Sequence, residues 1–198
     1  MTLPQTFHSV HGALTYAFSY VAQHYDAPAM NRAMDTTPAR EGKGLHGVDG
    51  AAQSGMIRAE IARLRPDAQA LLAVKYAPRS WPCECGRSCC SGQARNDEWA
   101  DALAHLVARA VPCALAGCVT HYRARRALVI RALVKSDALR GVRHDTLQDV
   151  ADSVGLHVKT VESHNRRVLD WIRGLHDNSE AEIYMRLVGC GMVVLEAA

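Results

Sequence analysis

Between Thr146 and Ile172 the chain reads TLQDVADSVGLHVKTVESHNRRVLDWI, and this stretch decides the fold. Apolar residues recur at helical spacing on both sides of Gly155, which predicts two amphipathic helices. A glycine there can adopt the left-handed conformation that ends a helix and lets the chain turn within a few residues. Ala151 precedes the glycine by four residues and Val161 follows it by six, a spacing at which two helices can cross closely. The stretch therefore predicts a helix-turn-helix; an ordinary antiparallel helix pair with a glycine corner is the alternative.

The two predicted helices are each expected to bury one face. Thr146 can cap the first helix with its hydroxyl, and Asp149 follows three residues later, as in a capping box. The second helix is expected to start near Val158. The side chains expected in the core are Leu147, Val150, Ala151, Val154, Leu156, Val161, Val168, Leu169 and Ile172.

The composition favours helices along the whole chain. The 198 residues are 48% hydrophobic but include only two Phe and three Trp, so the core must consist of Ala, Leu and Val. We predict an all-α fold, a helical bundle with a C-terminal helix-turn-helix and a cysteine-rich loop. No apolar run approaches the length of a membrane span, and the N-terminus lacks the pattern of a signal peptide. These features predict a soluble, intracellular protein with no membrane partner.

Apolar periodicity and Gly/Pro-rich breaks divide the chain into five predicted segments. They are an N-terminal helix in residues 1–27, a flexible linker in 28–50, a helical region in 51–112 with the cysteine-rich loop 78–95, the helix-turn-helix domain in 113–177, and a C-terminal helix and tail in 178–198. The helix before the helix-turn-helix is expected to run from Cys118 to Lys135. Breaks are expected at Pro112 and at Gly174, and the apolar faces are expected to include Met56, Tyr122 and Met185.

The net charge of +3 is unevenly distributed. Residues 119–175 contain eleven Lys and Arg against six Asp and Glu, so the basic excess lies around the predicted helix-turn-helix. Such an excess is typical of a surface that binds phosphates, although a solvated surface explains many charge runs of this size.

Four of the seven cysteines lie in one loop, which argues against a disulfide framework. A loop of this composition has no core of its own, and thiolate coordination of Zn²⁺ is a common way to order one. Cys118 and His121, three residues apart at the start of a predicted helix, are candidates to complete the site. Reduced structural cysteines are the alternative, and no cysteine has a base at the spacing of a catalytic thiol. The candidate ligands, of which four are needed, are Cys83, Cys85, Cys89, Cys90, Cys118 and His121.

The segment LHVKTVESHNRRVLDWI resembles the recognition helix of LuxR-type regulators and of region four of sigma factors, and RALVIRALV resembles the helix that precedes the turn there. The arrangement of PCECGRSCCSG before such a motif resembles late-gene antitermination proteins of the Q type, which phages encode. The resemblance implies a transcription regulator, not an enzyme, that binds double-stranded DNA in the cytoplasm of a bacterial host. RNA polymerase or a sigma factor is the implied protein partner.

The same resemblance implies which side chains contact DNA. The helix from Val158 would enter the major groove and present Lys159, Glu162, Ser163 and Arg166 to base edges, with Thr160 on the same DNA-binding surface. His164 is expected to pack rather than to contact DNA. The side chains assigned to phosphates are Arg123, Arg125, Arg126, Arg143 and Arg167, although a solvated surface position accounts for some of them.

Two other classes of function are alternatives to sequence-specific DNA binding. A module that docks on RNA polymerase or on a sigma factor would need no base contacts. A zinc enzyme acting on nucleic acid would need a His-x-Glu motif with a downstream cysteine pair, or paired carboxylates in a metal motif, and the sequence shows neither. The sequence is compatible with a homodimer.

Overall fold

The computed structural model describes residues 7–20, 47–83, 85, 87, 90–118, 121–133 and 145–194. These residues form mostly α-helices with one short two-stranded sheet, which confirms the predicted predominance of helix. The elements are α1 Val10–Ser19, α2 Gly47–Ala62, α3 Pro66–Tyr76, β1 Ser80–Pro82, β2 Gln93–Arg95, α4 Asp97–Cys113, α5 Tyr122–Leu133, α6 Leu147–Val154 and α7 Val158–Gly189. Within the described ranges, no helix combines the length and the apolar character that crossing a bilayer requires.

The described residues divide into two compact units. The first unit contains 7–20, 47–65, 76–78 and 180–194, and the second contains 66–75 and the described residues of 79–179. In the first unit α1 packs against α2. The Ser54 hydroxyl and the Arg58 Nε both donate to the Ala17 carbonyl near the end of α1, at 3.2 and 3.1 Å. These donors satisfy a carbonyl that the helix leaves without an intrahelical partner.

The second unit contains the helices on which the candidate sites are built. Trp99 of α4 donates from its indole nitrogen to the Val74 carbonyl of α3 at 3.1 Å. Asp67 at the start of α3 accepts from His105 Nε2 at 2.7 Å and from Arg109 Nε at 3.1 Å. Burial opposes ionisation of Asp67, but these hydrogen bonds lower the pKa of its carboxyl overall. Further along the chain, α4 packs against α5 and α5 packs against α6.

Helix α7 is continuous, so the predicted break at Gly174 and the separate C-terminal helix are wrong. The reason is an unbroken stripe of buried side chains, one every three or four residues, which continues past position 174 on the buried face of the helix. The stripe consists of Val161, His164, Val168, Ile172, Leu175, Ser179, Ile183 and Leu187. Gly174 and Asn178 lie on the exposed face, where they do not interrupt it.

Several other boundaries differ from prediction. Helix α2 begins at Gly47, inside the predicted linker, of which 28–46 lie outside the described residues. Helix α1 ends at Ser19, and residues 21–27 of the predicted first helix lie outside the described ranges. Helix α4 ends at Cys113, one residue past Pro112, a difference within the usual variation of helix ends. Three side chains expected in the core are instead exposed: Met56, Tyr122 and Met185.

The exposed glycine of α7 supports a stability prediction. A Cβ added at Gly174 would meet no atom within 4 Å, and alanine loses less backbone entropy in a helix. We expect Gly174→Ala to stabilise the protein by about 0.5–1 kcal/mol and to raise Tm in a thermal denaturation by about 1–4 °C. Gly155→Ala is the opposed control, because Gly155 has φ of +66° and an alanine there is strained. A lower Tm for Gly174→Ala would show that this glycine is needed for packing.

Candidate functional site

The segment from Thr146 to Val158 has the caps that the sequence predicts. The Thr146 hydroxyl accepts from the Asp149 backbone N–H at 3.0 Å, and the Asp149 carboxylate accepts from the Thr146 N–H at 2.8 Å. The Asp149 carboxylate also accepts from the Thr146 hydroxyl at 2.6 Å, and this bond, together with the one from the Thr146 N–H, holds the pKa of Asp149 below its ordinary value. Gly155 ends α6 in the left-handed region with φ of 66° and ψ of 31°, so three residues separate α6 from α7. The predicted capping box and glycine turn are confirmed.

One face of each of these two helices is buried. The buried side chains are Val150, Ala151, Val161, His164, Val168 and Ile172, which confirms six predicted packing positions. Leu147, Val154, Leu156 and Leu169 are only half-buried, although they were expected in the core. His157 immediately precedes α7; its carbonyl accepts from the Thr160 N–H at 2.9 Å and its Nδ1 accepts from the Lys159 N–H at 3.2 Å.

The exposed face of α7 contains all of the side chains predicted to contact DNA from this helix. They are Lys159, Thr160, Glu162, Ser163, Arg166 and Arg167, and on α5 Arg123 and Arg126 are exposed as well. Arg167 Nη1 also donates to the Cys118 sulfur at 3.5 Å. Arg125 is half-buried, with its guanidinium 5.8 Å from the centre of the Tyr122 ring, so it is less accessible than predicted. Arg143 lies outside the described residues.

His164 gives the α6–α7 segment a pH dependence. Burial, together with the positive charge of Arg167, lowers the pKa of His164 below its ordinary value. A group whose pKa is lower in the folded state stabilises the fold above the unfolded pKa of about 6.5 and loses that contribution as the pH falls through the folded pKa. We therefore expect the free energy of unfolding, measured with urea, to decrease from pH 7 to pH 5. His164→Met should flatten this dependence and His121→Gln, an exposed position, should not; an equal slope for His164→Met would contradict the assignment.

The cysteine-rich loop connects two antiparallel strands. Trp81 of β1 is opposite Ala94 of β2, and the Cys83 N–H donates to the Gly92 carbonyl at 2.9 Å. Gly92 has φ of 75°, a conformation that other residues rarely adopt. The sequence did not predict this sheet, because strands of three residues are too short to show an alternating pattern.

Three cysteines of this loop lie together. The sulfur atoms of Cys83, Cys85 and Cys90 are all within 4.8 Å of one another, so they could bind a metal ion. The pKa of the Cys85 thiol is lowered by the backbone N–H of Arg87 and by hydrogen bonds with the other two thiols. Cys89, also a predicted ligand, lies outside the described residues.

The other two predicted ligands are not part of this group. Among the described residues, the cluster contains neither Cys118 nor His121. Both residues precede α5, which begins at Tyr122 rather than at Cys118, so the argument that one helix face presents them together fails. The thiol of Cys118 instead accepts the hydrogen bond from Arg167.

Tyr122 is the residue whose observed exposure differs most clearly from the sequence prediction. The sequence predicts Tyr122 on an apolar packing face, yet 54% of its surface is exposed, and the residue lines an open cavity between α5 and α6. The basic residues around it, Arg123, Arg125 and Arg126, are the sequence feature that indicates an exposed position.

Comparison with known proteins does not assign the chain to a family. No protein-family model matches it, and no curated protein matches it.

Proposed function

We propose that this protein is a sequence-specific DNA-binding regulator of transcription, and that α6, the turn at Gly155 and the N-terminal part of α7 form its helix-turn-helix. The observation that supports this most is the division of α7 into two faces. Val161, His164 and Val168 are buried, and the polar and basic side chains between them are exposed, apart from the half-buried Asn165. A helix of this kind can enter the major groove while its other face stays packed.

The exposed side chains differ in what they can contact. Lys159 and Arg166 can donate to guanine, Glu162 can accept from cytosine, and Ser163 can pair with either type of edge. Arg126, Arg167 and Arg123 are suited to phosphates, which set affinity and its salt dependence without reading sequence. Thr160, in the first turn of α7, can donate to a phosphate as well.

The step from DNA binding to regulation rests on the likeness of this segment to LuxR-type and sigma region-four recognition helices. With the cysteine cluster ahead of it, the arrangement resembles Q-type antitermination proteins of phages. We therefore propose late-gene antitermination or activation together with RNA polymerase in a bacterial host.

We also propose that Cys83, Cys85 and Cys90 provide three of the four ligands of a Zn²⁺ ion. Tetrahedral zinc with Zn–S bonds of about 2.3 Å separates its sulfur ligands by about 3.8 Å. The three sulfur atoms, all within 4.8 Å of one another, fit this spacing with small adjustments. A bound ion would order the loop between β1 and β2, since a hairpin of two three-residue strands is marginal alone.

Selection of bound duplexes from a random pool tests the DNA proposal. We expect one recurring sequence, with an affinity that falls steeply as salt rises because phosphate contacts release counterions. Equal binding of all duplexes would contradict base reading. Capture of purified RNA polymerase or sigma factor without any DNA affinity would instead favour a protein-interaction module.

A further inference from the structure

An open cavity of about 390 Å³ lies between the start of α5 and the end of α6 in the second unit. His121, Tyr122 and Arg123 line one side of it, and Ser153 and Val154 line the other. Small-molecule sites commonly occupy about 300–1,000 Å³. The cavity is therefore large enough for a ligand of nucleotide size.

Tyr122 supplies an aromatic surface at this cavity. Its ring is exposed, and the guanidinium of Arg125 lies 5.8 Å from the ring centre, within the range of a cation–π contact. Such a contact limits the orientations of the ring. An exposed aromatic face of this kind stacks on nucleic-acid bases without preference for their sequence.

The polar residues of the cavity are suited to an anion. Arg123 and His121 are exposed, and within the described part of the chain no carboxylate pairs with either. The first turn of α5 contains no acidic residue. Ser153 already donates its hydroxyl proton to the Val150 carbonyl at 2.8 Å, which leaves its oxygen as an acceptor. One side of the cavity is thus cationic and the other offers an acceptor beside the apolar Val154.

We infer that this cavity binds a nucleotide whose base stacks on Tyr122 and whose phosphate contacts Arg123 and His121. Ser153 accepts a hydrogen bond from the base or the sugar. Stacking on Tyr122 requires a base that is not paired within a duplex, so this site goes beyond the base-reading side chains of α7 and shares only Arg123 with the proposed duplex contacts. The ligand is a free nucleotide or one unpaired nucleotide of a single strand.

Calorimetric titration of the full chain with four probes tests this site: dAMP, deoxyadenosine, inorganic phosphate and a single-stranded deoxyadenosine decamer. We expect dAMP to bind more tightly than deoxyadenosine or phosphate alone. Tyr122→Ala should weaken the binding of dAMP and of the decamer about ten-fold or more, the usual effect of losing one stacked base. Tyr122→Phe should keep the affinity because it keeps the ring. Tyr184→Ala, which removes an exposed tyrosine from the other unit, should leave it unchanged.

The outcomes separate the two sources of the ligand and test the site itself. Tighter binding of the decamer than of dAMP assigns the site to single strands, and equal binding assigns it to free nucleotides. The proposal is overturned if no probe binds, if phosphate binds as tightly as dAMP, or if Tyr122→Ala keeps wild-type affinity. Because Tyr122→Ala should retain duplex binding and Lys159→Ala should retain dAMP binding, failure here is distinct from failure of the DNA proposal.

Discussion

Replacing Lys159 and Arg166 together with alanine should lower the affinity for a selected duplex by about 30-fold or more. Each well-placed contact to a base edge contributes about 1–3 kcal/mol of discrimination, and two such contacts are lost. Both side chains are exposed on α7, so their loss should not unfold the helix. Affinity for unrelated duplexes should fall much less, because the phosphate contacts remain. Gel-shift titration against the selected and a scrambled duplex measures both quantities.

A control that removes one cation outside α7 separates base reading from general electrostatics. Arg63→Ala also removes a cation, but from the first unit, where the exposed Arg63 pairs with Glu60. Glu60 keeps a second cationic partner, Arg186, at 3.7 Å. We expect it to keep both the affinity and the sequence preference. Circular dichroism should show the same helix content in all variants. If the double variant still preferred the selected duplex, α7 would not be the recognition helix.

The α6–α7 segment was predictable because its structure is set by local rules. Thr146, Asp149 and Gly155 each act within a few residues, through a capping box and a left-handed turn that the sequence specifies directly. The buried positions of α7 follow from the helical period. These features need no knowledge of the rest of the fold.

The sequence predictions that the structure contradicts lie where tertiary packing outweighs the local preference of a residue for a helix or a turn. Gly174 and Asn178 suggested a break in α7, but the helix is held by buried side chains on its opposite face, such as Leu175 and Ile183. The same stripe is present in the sequence. Its helical spacing continues on both sides of Gly174 and therefore predicts a continuous helix. By contrast, the pairing of β1 with β2 depends on contacts between residues about thirteen apart, for which strands of three residues give no periodic signal.

The cysteine prediction was right in part for the same reason. Cys83, Cys85 and Cys90 are close in sequence, and the hairpin brings their sulfur atoms together. Cys118 was assigned by its spacing from His121 on a helix that in fact begins after both. Spacing identifies partners only where the secondary structure that carries it is correct.

Removal of Zn²⁺ from the cysteine cluster should lower the thermal stability of the protein. The protein purified without chelator should contain one Zn²⁺ per chain by elemental analysis, and Cys85→Ser should reduce this to near zero because a thiolate ligand is removed. If Zn²⁺ is present at about 100 times its dissociation constant, its removal costs about 2.7 kcal/mol. For a chain of this length that corresponds to a fall in Tm of about 5–10 °C, which thermal denaturation with and without a chelator measures.

Two further cysteines decide whether the cluster itself is the site. Cys113 is exposed at the end of α4 and lies outside the cluster, so Cys113→Ser should keep the zinc content and the chelator-dependent fall in Tm. Cys118→Ser should also keep both, because the Cys118 thiol bonds Arg167 and is not among the clustered sulfur atoms. Zinc loss in Cys118→Ser but not in Cys85→Ser would move the site away from the hairpin. Full zinc content in Cys83→Ser, Cys85→Ser and Cys90→Ser alike would show that these three thiols are structural cysteines, since no zinc site tolerates the loss of each of its thiolates in turn.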